Sequence, residues 1–63
     1  MKLMNDRGQA VYLNCVEKSG AVRYIVKAAS GQYLLNKDKK KVKSRSFQRE
    51  IDASRYLKRE GYR

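Results

Sequence analysis

Between positions 37 and 49 the chain carries Lys37, Lys39, Lys40, Lys41, Lys43, Arg45 and Arg49, opposed by Asp38 alone. Cations at this density neutralise phosphates and release the counterions that had screened them. The cluster runs into Ser44, Ser46 and an apolar pattern of helical spacing. A helix N-terminus at that point would add free N–H groups and the positive end of a dipole, and both favour an anion. Cations crowding that end repel it, and a bound phosphate would relieve the repulsion. The pattern specifies a polyanion, not a base sequence, and does not separate DNA from RNA. Lysines so placed also guard an edge strand against aggregation. A second group, Tyr12, Arg23 and Lys27, falls on two segments of strand character. There the cations would meet phosphates while the ring stacks on a base or packs on sugar. Cross-strand packing with the phenol at the rim is the competing use of such a tyrosine.

The chain is poorly equipped for catalysis. It has no histidine and one cysteine, which excludes the usual zinc ligand sets and leaves no general base of ordinary pKa near 7. Glu50 and Asp52, two apart on a helix, point in different directions and form no dyad. Pairing of Asp52 with Arg55 is the expected structural use. Cys15, inside a strand, reads as a small buried hydrophobe rather than a nucleophile. No enzyme activity, cofactor or metal is expected.

Charge and size set the wider frame. Lysine and arginine total 16 against 6 acids, a net charge of +10 on 63 residues. That excess opposes compaction, so it points to a polyanionic partner. A chain of this length makes one domain, residues 1–63, and buries only about 60% of its unfolded surface. No apolar run approaches the roughly 20 residues that span a bilayer, and no secretory leader is read at the start. With a lone cysteine, the expectation is a cytoplasmic protein that makes no membrane contact.

The elements that must position these side chains follow from periodicity. Gln9–Glu17 and Ala21–Ala28 alternate as strands around a turn at Lys18-Ser19-Gly20. Gln32–Leu35 reads as a third strand, giving a meander of sequence neighbours. Lys41–Lys43 would form a brief edge strand after a turn at Asn36–Lys39, and residues 1–8 are either flexible or a further edge. Ser46 fits a helix N-cap, and a helix is expected over 47–59 with Phe47, Ile51, Ser54 and Leu57 on its apolar face. Alanine at Ile51 or Leu57 would then cost about 2–5 kcal/mol. Gly61 and Tyr62 have the form of a Schellman stop. The fold class is α+β: a three-stranded antiparallel sheet, with a four-stranded one as the alternative, packed by one C-terminal helix, β-β-β-α. Val11, Leu13, Cys15, Val22, Tyr24 and Val26 would face the helix, leaving Tyr12, Asn14, Arg23, Ile25 and Lys27 on an open face.

The order of elements from about Val11 to Leu57 resembles the arm-binding domains of tyrosine integrases, a similarity of topology carried by no diagnostic motif. It implies a three-stranded sheet laid in the DNA major groove with a helix behind it. The run Lys39-Lys40-Lys41-Val42-Lys43 before the helix is loosely similar to double-stranded-RNA readers, whose first helix and Gly-rich approach are missing here. A single-strand or structured-RNA binder is the third mode. The expectation is a small accessory or regulatory nucleic-acid-binding protein, with DNA ahead of RNA. The alternative is a phage or mobile-element regulator that docks on an acidic surface of a host protein. That reading predicts an exposed apolar patch around Ile25, Leu34 and Leu35. One leucine of the Leu34-Leu35 pair must face away from the helix, so monomer and homodimer both stay open.

Overall fold

A computed structural model describes the whole chain, Met1–Arg63. Six strands precede one helix: β1 Lys2–Met4, β2 Ala10–Lys18, β3 Ala21–Ala28, β4 Leu34–Leu35, β5 Lys41–Val42, β6 Ser44–Phe47 and α1 Glu50–Arg59. The main sheet is antiparallel in the order β1-β2-β3-β6, and β4 and β5 form a separate two-stranded hairpin. The α+β class and the packing of one C-terminal helix on the sheet are as the sequence indicates.

The third strand of the meander is different. Gln32–Leu35 contributes only Leu34 and Leu35, which pair with Val42 and Lys41 rather than with β3. The place beside β3 goes to Ser44–Phe47, in the register Tyr24↔Phe47, Val26↔Arg45 and Lys27↔Ser44. Lys41-Val42 is accordingly no edge of the main sheet. Ser-Arg-Ser-Phe has lower strand propensity than Gln-Tyr-Leu-Leu, but its alternation sends Phe47 and the Arg45 stem inward and both serines out. Tertiary packing decides over local preference. Leu34, released from the sheet, drops into the core, and Leu35 remains exposed.

The turns hold because asparagine supplies acceptors. Asn5 Oδ1 accepts the N–H groups of Arg7 and Gln9 at 3.1 and 3.0 Å. Asn36 Oδ1 does the same for Asp38 and Lys40 at 2.9 and 3.0 Å. In each turn the residue three places after the asparagine adopts positive φ: Gly8 at 78° and Lys39 at 60°. The β2–β3 turn places Ser19 and Gly20 at φ 54° and 78°, the conformation that a two-residue hairpin with right-twisted strands requires.

Helix α1 begins three residues later than its apolar pattern implies. Ser46 lies in β6 and caps nothing, and the N-cap is Arg49, which makes no side-chain cap bond. Its C-terminus is the expected Schellman motif: Tyr62 N–H donates to Leu57 O at 2.9 Å and Gly61 N–H to Lys58 O at 3.1 Å. The buried stripe is Ala53, Tyr56 and Leu57, rotated from the expected Ile51–Ser54 face. Tyr56 belongs inside because its ring fills the space against Phe47, with centroids 5.5 Å apart. Ile51 is 50% exposed. Ile51→Ala is therefore expected to cost under about 1 kcal/mol, measured by urea unfolding. A loss above about 2 kcal/mol would return Ile51 to the core.

The core is small. Val11, Val26, Ala28, Leu34, Tyr56, Leu57 and Tyr62 form its buried cluster, with Leu3, Leu13, Val42 and Phe47 packed around it. Cys15 and Val22 occupy the helix side of the sheet as expected but are exposed, because α1 crosses β3 and β6 and stops short of the far end of β2. Cys15 is thus no buried hydrophobe.

Candidate nucleic-acid interface

Register assigns every strand residue to a face. Directly paired residues share one, so Val11, Leu13, Cys15, Tyr24, Val26 and Phe47 take the helix side. The opposite, uncovered face carries Tyr12, Asn14, Val16 and Lys18 from β2, then Ala21, Arg23, Ile25 and Lys27 from β3. Lys2 of β1 pairs with Tyr12, and Ser44 and Ser46 of β6 pair with Lys27 and Ile25. One row across the sheet therefore reads Lys2, Tyr12, Lys27, Ser44: a phenol ring flanked by two ammonium groups on strands about 4.8 Å apart. The next row offers Asn14, Ile25 and Ser46, and the one beyond it Val16 and Arg23.

No acid lies on this face. Asp6 is in the first turn, Glu17 points to the helix side, Asp38 sits at the hairpin tip, and Glu50, Asp52 and Glu60 belong to α1 and its C-cap. Lys2, Lys18, Arg23 and Lys27 consequently add without cancellation. Tyr12 is 41% exposed. Beside it a depression of about 580 Å³ is lined by Tyr12, Asn14, Lys27, Gln32 and Lys43 among others.

Half of the β2–β3 hairpin stands clear of the body. β1 reaches only Ala10–Tyr12 and β6 only Tyr24–Lys27, so Val16–Arg23 pair with nothing but each other. Every residue of that ribbon is exposed, and the molecule is 36 Å long against 22 and 20 Å across.

The cations of segment 37–49 do not form one site. Lys43 joins the open-face depression. Lys41 lies over the Tyr33 ring at 4.6 Å. Lys40 is exposed in the hairpin turn. Lys37, Lys39 and Arg45 line a cleft on the helix side together with Arg59. The Arg45 guanidinium rests over the Tyr56 ring at 4.6 Å and over Phe47 at 5.2 Å. Burial raises the Tyr56 phenol above its ordinary pKa, against the opposing pull of the Arg45 guanidinium.

The helix N-terminus already carries negative charge of its own. Arg49 is engaged by Asp52 in a two-pronged ion pair at 2.9 and 3.1 Å, which also replaces the expected Asp52–Arg55 pairing. The hydrogen bond from Arg49 lowers the Asp52 carboxyl below its usual pKa. Glu50 and Asp52 already place negative charge in the first turn, where the dipole favours it. A phosphate there would meet two carboxylates.

Of the expected apolar patch only Leu35 is exposed. Leu34 is buried and Ile25 half-buried. The apolar groove lies instead between α1 and the β1–β2 edge, lined by Met1, Leu3, Leu13, Cys15, Tyr24 and Leu57, with Asp6, Glu50, Lys58 and Arg63 along it. Alternation makes the open face legible in sequence, Lys18 included once β2 runs one residue past Glu17, whereas Lys2 and Arg59 as members of basic surfaces carry no such signal. No group of carboxylate and thiol side chains capable of holding a metal ion assembles, and no helix is long and apolar enough to cross a membrane. No protein-family model, curated protein or solved structure matches the chain.

Proposed function

We propose that this is a non-enzymatic nucleic-acid-binding protein that lays the open face of its sheet against duplex DNA, acting as a cytoplasmic accessory or regulatory factor. The observation that carries this reading is the acid-free face, on which Lys2, Lys18, Arg23 and Lys27 surround Tyr12, Asn14, Ser44 and Ser46. Such a surface neutralises phosphates through its cations and offers hydroxyl and amide groups for edges and sugars. The free ribbon favours duplex DNA. The B-DNA major groove, about 12 Å wide, admits a two-stranded β-ribbon, whereas the A-form major groove is too narrow for side chains to read. Single-strand binding relies on a series of stacking rings, and Tyr12 is the one aromatic side chain on this face.

The test is a fluorescence-anisotropy titration with a 20-base-pair DNA duplex, the single strand and the matching RNA duplex at rising salt. Tightest binding to duplex DNA, surviving about 0.15 M salt, is the expected result. Weak and indiscriminate binding lost at that salt would reduce the charge to general attraction. A protein partner is the second reading, favoured by the apolar groove under Leu13 and Tyr24. It predicts that groove substitutions, not open-face substitutions, abolish function.

A further inference from the structure

We propose that the cleft between the β4–β5 hairpin and α1 is a second phosphodiester site, so that one molecule holds two nucleic-acid segments, one on each side of its sheet. This rests on the open face being a nucleic-acid surface. The cleft encloses about 990 Å³ and gathers Lys37, Lys39, Arg45 and Arg59. Two carboxylates also line it: Asp52, already taken by Arg49, and Glu60, the one acid there outside any ion pair. Arg45 and Arg59 stack on the same Tyr56 ring, at 4.6 and 5.8 Å, and neither meets a carboxylate within ion-pair distance. Stacking fixes a guanidinium by its face and leaves the N–H donors at its edge for an oxyanion. Both guanidinium groups line the cleft, and a phosphate bound there would offset the repulsion between its cations.

The hairpin adds to the argument. Its turn repeats the geometry of Asn5–Gln9, with Lys39 standing where the first turn has Gly8. Lys39 holds φ 60°, a left-handed conformation that glycine adopts freely and lysine does not. The lysine there supplies a cation to the cleft at a conformational cost.

Arg45 pairs with Val26 and so points to the helix side, while its neighbours Ser44 and Ser46 point to the open face. A duplex on the open face has the sheet between it and the cleft, the two surfaces approaching each other at β6, whose Ser46 also lines the cleft. Occupation of both sites therefore means two segments, or one strand led around the edge at β6.

The experiment is a bridging assay: a bead-bound 20-base-pair duplex, the protein, and a second fluorescent duplex captured from solution. Wild-type protein should capture the second duplex. The triple variant Lys37→Ala/Lys39→Ala/Arg59→Ala should lose capture at least tenfold while its anisotropy affinity for one duplex changes less than about threefold. Lys39→Gly alone should reduce capture with a melting temperature equal to or above wild type, which separates lost charge from lost fold. Undiminished capture by the triple variant overturns the inference. So does a parallel fall of capture and single-duplex affinity, which would make the two surfaces one site. Absence of any duplex binding by wild type would instead defeat the proposed function itself.

Discussion

Leu57→Ala is expected to lower the thermal midpoint by about 10–30 °C or to leave the chain unfolded at 25 °C. Leu57 is buried where α1 meets the sheet, and its backbone carbonyl also closes the helix through Tyr62 N–H. Removing a buried leucine side chain costs about 2–5 kcal/mol, transfer and cavity together. A domain of this size is stabilised by only about 3–9 kcal/mol in total, and each kcal/mol is worth about 4–8 °C. Only Val11 and Val26 are wholly inaccessible large side chains, so no reserve of packing exists to absorb the loss. Circular dichroism of the helix signal against temperature reads the result directly. Melting within a few degrees of wild type would mean that α1 is held by something other than this contact. Ile51→Ala, about one and two-thirds turns earlier on the exposed side, is the matched control.

The second large effect concerns binding. Replacing Lys2, Arg23 and Lys27 together with alanine should weaken duplex affinity about a hundredfold, on the order of 1 kcal/mol per contact. The slope of log affinity against log salt should fall by up to about 2.7, since each phosphate neutralised contributes about 0.9. All three side chains are exposed and none makes an ion pair, so the melting temperature should hold. Intact affinity with an unchanged slope would remove the open face from the interface. Tyr12→Phe, which keeps the ring, should then be nearly silent beside Tyr12→Ala if stacking is the ring's role.

Strand alternation was enough to divide β2 and β3 into a helix side and an open side. A side-chain period of two leaves only two assignments, and the larger apolar set, Val11, Leu13 and Val26, chooses between them. The Schellman stop was equally legible, since Gly61 supplies the positive φ of 77° that ends a helix within four residues of sequence. The charge excess pointed to a polyanion without any knowledge of shape.

The remaining features depended on contacts between residues far apart in sequence. The choice of Ser44–Phe47 over Gln32–Leu35 as partner of β3 turns on how Phe47 and the Arg45 stem fill space against Tyr56, which local propensity does not register. The same packing set the helix start and rotated its buried stripe from Ile51 to Tyr56. It also split one run of cations into two surfaces. Lys37, Lys39 and Arg45 went to the helix side and Lys43 to the open side, because the hairpin folds back and Asp52 takes Arg49. Local periodicity, the helix stop and the net charge are thus properties of short stretches of chain or of composition. Strand order, helix phase and the partition of charge were decided by the tertiary structure, since each is a choice between near-equal local options that only the packed core resolves.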